Sequence, residues 1–136
     1  MVRIEIDYQG DLHCTSVHSP SKTELATDAP VDNQGRGESF SPTDLVATAL
    51  GTCMLTTMGI VAKNLNVDIA GATATVDKEM TTTAPRKIDR LVSTVRMPHP
   101  VDAEVQQRLE NAANGCPVKR SLHPDVQAPI EFVWGS

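Results

Sequence analysis

"SPTDLVATALGTCMLTTMGIVAKNL", residues 41–65, carries no charged side chain between Asp44 and Lys63. Ser41 is a good helix N-cap, Pro42 suits the first helical position, and Asp44 approximates the third residue of a capping box that complements the helix dipole. The stretch predicts a helix from Pro42 to about Leu65, roughly 36 Å long at about 1.5 Å per residue. Because it is apolar on nearly all sides, such a helix must be covered all round rather than along one stripe. A sheet on one side and a second subunit or helix layer on the other would do this. Residues 45–62 reach the lower length limit of a membrane span, but six of these positions are Thr or Gly and the flanking sequence reads as soluble strands. No membrane partner is expected.

Outward from this segment the pattern has period two. Val2, Ile4, Ile6 and Tyr8 alternate with Arg3, Glu5 and Asp7, and Gln9-Gly10 offers a turn into Leu12 and Cys14, which period two places on one face. A third short strand is expected near Lys22 to Leu25. Residues 27–40, "TDAPVDNQGRGESF", have no periodicity and form a loop of unusual length, a feature often tied to function. After Asn66, Ala70, Ala72, Ala74 and Val76 alternate with Thr73, Thr75 and Asp77. "TTTAPRK" then turns the chain into Leu91, Val95 and Met97, which alternate with Val92, Thr94 and Arg96. The small residues at 70, 72 and 74 leave room for a helix to pack closely. Asp102 can cap a helix with Val105, Leu109 and Ala112 on one face and Gly115 at its end; "CPVKRSLHP" makes a short helical turn, and Ile130, Phe132 and Trp134 a last strand. This order indicates one α+β domain over residues 1–136.

Composition narrows the function. Seventeen acidic against twelve basic residues give a net charge of -5, and the only aromatic rings are Trp134, Tyr8, Phe40 and Phe132, so a nucleic-acid partner is not expected. Three cysteines without a C-x-x-C pair argue against a secreted disulfide framework and a structural zinc site, and favour reduced thiols in the cytoplasm. "MVRIEIDYQG" has charges at every second position where a signal peptide needs an apolar run, so no export is expected. His13 and His18 fall on opposite faces of one strand, while His99 and His123 sit beside prolines in loops, so no metal site is expected. No phosphate loop, dinucleotide fingerprint or Ser-His-Asp grouping is readable, and no cofactor is expected.

The thiols carry the remaining chemistry. Cys14 reads as a core-facing strand residue. Cys116, just before Pro117, is the expected N-cap of a short helix; the helix end, Lys119 and Arg120 would lower its pKa, which makes it the more acidic thiol on local grounds. Cys53 is in mid-helix among Ala49, Leu50, Thr56 and Thr57, and locally reads as a buried core thiol. Any charge that activates it must come from a loop or another subunit. Arg36 and Glu38, in the long loop before the helix, are either solvated loop charges or the groups that a folded-over loop brings to a thiol.

"SPTDLVATALGTCMLTTM" together with "CPVKRSL" resembles the OsmC/Ohr family of thiol-dependent hydroperoxide reductases. In its small OsmC-like members a helix opens S-P-x-[DE]-L and carries a cysteine eight residues after the leucine, the spacing of Leu45 and Cys53 here. The resemblance extends over almost the whole chain. It implies an OsmC-like fold with antiparallel sheets packed around a long central helix, an intertwined homodimer, and active sites at the subunit interface. It further implies a peroxidase acting on organic hydroperoxides or hydrogen peroxide. Cys53 would become a sulfenic acid, Cys116 would form a disulfide with it, and a dithiol or small thiol would reduce the product. Those enzymes carry a glutamate directly after the helix-opening proline, paired to an arginine. This chain has Thr43 there. Arg36 and Glu38 are the substitutes suggested by location. Two other readings stay open: an OsmC-fold redox-sensing or ligand-binding protein without robust turnover, and a protein whose thiols only pack.

Overall fold

The computed structural model describes residues 1–135, and the chain forms two compact units, Met1–Val46 and Ala47–Ser136.

The first unit holds a three-stranded antiparallel sheet in the order β1 (Ile4–Tyr8), β2 (His13–His18), β3 (Glu24–Asp28). The first hairpin forms as the alternation predicts, with Tyr8 opposite Cys14. Its turn is longer than expected. Gln9 N–H donates to His13 O at 2.9 Å, and Gly10, Asp11 and Leu12 all have positive φ (86°, 54° and 62°). Leu12 therefore belongs to the turn and does not share a strand face with Cys14. β3 starts at Glu24 rather than Lys22, because Lys22 is itself left-handed in the preceding turn, at φ 64°. Ile4, Ile6 and Tyr8 lie on one face of β1 and are 48%, 63% and 67% exposed, an apolar row that this chain leaves uncovered. The long loop is ordered: a single 3₁₀ turn at Val31–Asn33 folds it back, and Asp28 N–H to Phe40 O and Ala29 N–H to Leu12 O, 3.0 and 3.1 Å, tie its ends to the sheet.

Helix α1 spans Pro42–Asn64. Its start is a reciprocal capping box, with Asp44 N–H donating to Ser41 Oγ at 3.1 Å and Ser41 N–H to Asp44 Oδ2 at 2.9 Å. At its end Lys63 lies in the last turn, and Asn66, at φ 57°, takes the chain out of the helix. By length and composition α1 is apolar enough to cross a membrane. Its burial is one-sided. Ala47, Leu50, Gly51, Met54, Met58 and Ala62 form the buried stripe, whereas Thr48, Thr52, Thr56 and Ile60 run along the exposed face at four-residue spacing. A helix expected to need cover all round is thus covered by its own chain along one stripe only.

In the second unit β4 (Thr73–Met80), β5 (Ile88–Met97) and β6 (Ile130–Trp134) form a sheet in that order. β4 and β5 pair antiparallel, and Leu91, Ser93, Val95 and Met97 alternate into the core. β6 pairs parallel to β5, so the expected antiparallel arrangement holds for five strands and not for the sixth. The reason is the crossover between them: α2 (Ala103–Asn114) and α3 (Pro117–Ser121) carry the chain back before β6 starts. Leu50, Met54, Met58, Leu91, Val95 and Leu109 are fully buried, each contributing about 1.5–3 kcal/mol of hydrophobic transfer. Gly51 sits where an added Cβ would lie 3.2 Å from Val76 Cγ2, so α1 runs close over β4. The room for this comes from Gly51 as well as from the strand, since Ala70 and Ala72 precede β4. On α2 the buried residues are Leu109 and Ala113, one position on from the expected Ala112, and Gly115 caps the helix through its N–H to Asn111 O.

Candidate active site

α1 and the α2–α3 junction bring together two cysteines sixty-three residues apart in sequence. Cys53 is half-buried at mid-helix, and its sulfur lies 3.9 Å from Thr57 Oγ1 one turn on. Cys116 is fully buried and is the N-cap of α3 in extended geometry (φ -63°, ψ 147°), its sulfur accepting from Lys119 N–H at 3.4 Å. Cys53 is near enough to act on the Cys116 thiol, and both cysteines are free thiols. The turn that positions Cys116 is held by Cys116 N–H to Ala113 O and by Arg120 Nε to Gly115 O.

The N-cap expectation for Cys116 is met, but its expected acidity is not. Burial pushes the Cys116 thiol above the ordinary cysteine value, and the neighbouring Cys53 pushes it the same way. The Lys119 and Val118 amides pull it down without prevailing. A five-residue helix supplies little dipole, and the two cations expected to help are turned elsewhere, Lys119 Nζ to Asn114 Oδ1 and Arg120 Nε to Gly115 O. Cys116 therefore holds its proton against a charge on Cys53.

Arg36 and Glu38 belong to the first unit. There they line a polar cleft of about 310 Å³ with Gln9, Gly10, Asp11, His13 and Asp28. His13 Nδ1 and Asp28 Oδ1 are 2.9 Å apart, and Glu38 N–H donates to Asp28 Oδ2 at 3.3 Å. The His13 hydrogen bond holds the Asp28 carboxyl below its usual value against the opposing effect of burial; the positive field of His13, the Glu38 amide and Arg36 act in the same direction as that bond. This pairing of residues fifteen positions apart had no signal in the sequence. A carboxyl lowered by folding adds stability above its unfolded pKa and loses that contribution as pH falls through its folded value. Asp28→Asn is accordingly expected to lower the urea midpoint near neutral pH, with the difference from the parent closing as pH falls below the ordinary aspartate range. A difference that does not change with pH would remove the charge from this account.

The other histidines are engaged separately. His18 Nδ1 is 2.6 Å from Ser21 Oγ, His99 bridges Asp68 O and Pro100 O at 2.7 and 3.0 Å, and His123 lies 3.7 Å from Asp125 Oδ2. Among the described residues no group of three or more His, Cys, Asp or Glu side chains is placed to hold a metal ion.

Comparison with known proteins bears on this geometry. The family model for OsmC-like protein matches residues 35–131, a span that includes both Cys53 and Cys116. A crystal structure of a protein from Psychrobacter arcticus 273-4, named for osmotic stress induction and detoxification response, is 44% identical over 97% of this chain and 96% of its own, with a TM-score of 0.91. The organic hydroperoxide resistance protein OsmC of Legionella pneumophila shares the fold at 13% identity and a TM-score of 0.79, covering 98% of this chain and 96% of that one. The organic hydroperoxide resistance protein OhrB of Bacillus subtilis does so at 18% identity and 0.69, with 97% of each chain covered. No curated protein matches this chain. The extent of the family match, the identity to the Psychrobacter protein and the shared α+β architecture establish that this chain belongs to the OsmC-like protein family.

Proposed function

We propose that this protein is a thiol-dependent peroxidase that reduces organic hydroperoxides or hydrogen peroxide. The observation that carries the reading is that the fold brings Cys53 of α1 to bear on the thiol of Cys116, which is fully buried at the N-cap of α3. In the first step the Cys53 thiolate attacks one oxygen of the peroxide; an S–O bond forms, the O–O bond breaks, and the alkoxide leaves as an alcohol after taking a proton. Cys53 is then a sulfenic acid. Cys116 attacks that sulfur, giving a Cys53–Cys116 disulfide and water, and two reducing equivalents from a dithiol or small thiol restore both thiols. A buried resolving thiol with a raised pKa suits this order, since it stays protonated while Cys53 reacts. Structural relatives named organic hydroperoxide resistance proteins support peroxide chemistry for this chain.

The working unit of the proposal is a homodimer. The exposed line Thr48, Thr52, Thr56 and Ile60 on α1 and the apolar row Ile4, Ile6 and Tyr8 on β1 are the surfaces that a second copy would cover. The reading places the protein in the cytoplasm, where free thiols persist.

A second reading is favoured by Thr43, which stands where the hydroperoxide reductases carry a glutamate and whose Oγ1 lies 3.2 Å from Ser41 Oγ. A threonine brings no charge. On that reading the cysteine pair senses oxidation or binds a ligand without sustained turnover.

One experiment tests the proposal and its assembly together. After brief treatment with one equivalent of cumene hydroperoxide, peptide mapping should find Cys53 linked to Cys116 and Cys14 unmodified, in particles of twice the 14.6-kDa chain mass. Oxidation that leaves Cys53 and Cys116 unlinked would refute the two-cysteine mechanism, and a monomer in solution would refute the dimer. Rapid multiple turnover with a dithiol would exclude the sensing alternative.

A further inference from the structure

The Thr57 hydroxyl has one hydrogen-bond partner among the described residues, the sulfur of Cys53 at 3.9 Å. This is not what a helical threonine ordinarily does. Such hydroxyls turn back to the carbonyl of the preceding turn, as Thr52 does on the same helix, with Oγ1 2.9 Å from Thr48 O and 3.2 Å from Ala49 O. Thr57 is half-buried, and the i, i+4 relation puts it on the same face as Cys53.

We propose that Thr57 is a catalytic residue whose hydroxyl donates to the Cys53 thiolate and holds its negative charge in place for attack on the peroxide. The proposal deepens the peroxidase reading and rests on Cys53 being the attacking thiol. The chemistry follows from donor inventory. An ionised Cys53 sulfur only accepts, and the donor that α1 itself sets beside it is the Thr57 O–H. The titratable group facing it is Cys116, from the α2–α3 junction. Cys116 gives up its hydrogen when it forms the disulfide, whereas a threonine hydroxyl keeps its proton at every working pH. Thr57 is therefore the donor that persists through the cycle. A 3.9 Å separation is long for an O–H···S bond in the thiol state, and contacts of this kind tighten when full charge develops on the acceptor. The role also bears on the Thr43 position: a hydroxyl one turn beyond the cysteine supplies, from within α1, part of the stabilisation that a charged pair supplies in the hydroperoxide reductases.

The test compares Thr57→Val, which keeps the shape and removes the hydroxyl, with Thr57→Ser, which keeps the hydroxyl. The readout is the pH profile of Cys53 alkylation by iodoacetamide, resolved from Cys14 and Cys116 by peptide mapping. Thr57→Val should move the profile up by about one pH unit, so that alkylation near pH 7 slows about tenfold, and Thr57→Ser should restore it. An unchanged profile in Thr57→Val, or an equal shift in Thr57→Ser, overturns the proposal. Should Thr57→Val lose its cooperative thermal transition, Thr57→Ala replaces it with the same two outcomes. Because alkylation involves no peroxide, a failure of the peroxidase reading and a failure of this one are separately visible.

Discussion

Cys53→Ser is expected to reduce cumene hydroperoxide only at the rate of buffer with dithiol, a loss of at least about 10³-fold in kcat/KM. A serine hydroxyl stays protonated at neutral pH and is a far weaker nucleophile toward an O–O bond than a thiolate, so the substitution removes the attacking group while changing volume little. It leaves α1 intact, because Cys53 is half-buried and the buried stripe of the helix is made by Leu50, Met54 and Met58. The thermal transition should therefore stay close to that of the parent, and peroxide consumption followed with a dithiol separates chemistry from folding. Retention of parental activity by this variant would place the reaction on another residue and end the mechanism proposed above.

Cys116→Ser is expected to fail later in the cycle. Without the buried partner thiol, Cys53 still attacks one equivalent of peroxide, but its sulfenic acid has no neighbour with which to condense. One burst of peroxide consumption should be followed by dithiol-driven turnover at least about tenfold slower, with a dimedone adduct accumulating on Cys53 and further peroxide carrying it to the sulfinic acid. The burst and the trapped adduct assign the order of the two thiols. If the variant instead loses the burst and Cys53→Ser keeps it, the roles are reversed. The direction of the Cys116 shift argues against that reversal: burial and the Cys53 charge both keep a proton on Cys116. Its attack on the sulfenic acid should accordingly quicken as pH rises, since a larger share of the resolving thiol is then ionised.

Much of the architecture was legible because the signals are local. Ser41, Pro42 and Asp44 define where α1 starts through bonds spanning three residues, and the period-two runs reappear as burial alternation along all of β4 and along β5 from Arg90 onward. Local reading went astray where backbone conformation or chain return decided the outcome. Left-handed Asp11 and Leu12 lengthened the first turn, and the α2–α3 crossover set β6 parallel. Thr57 was visible as a helix-face neighbour of Cys53, yet only its unusual side-chain orientation distinguishes it from Thr52. The pairing of His13 with Asp28 depends on strand register and on the fold-back of the loop, neither of which composition encodes.

The sequence by itself determined the long central helix, the two hairpins, the cap position of Cys116 and the family motif around Cys53, because each rests on residues a few positions apart. Tertiary structure alone decided that Cys53 comes near enough to act on Cys116 and that the Cys116 thiol is pushed up rather than down. The dipole and amides at a helix start are local and lower a thiol's pKa, whereas desolvation depends on everything packed around the sulfur, and at a fully buried Cys116 desolvation prevails.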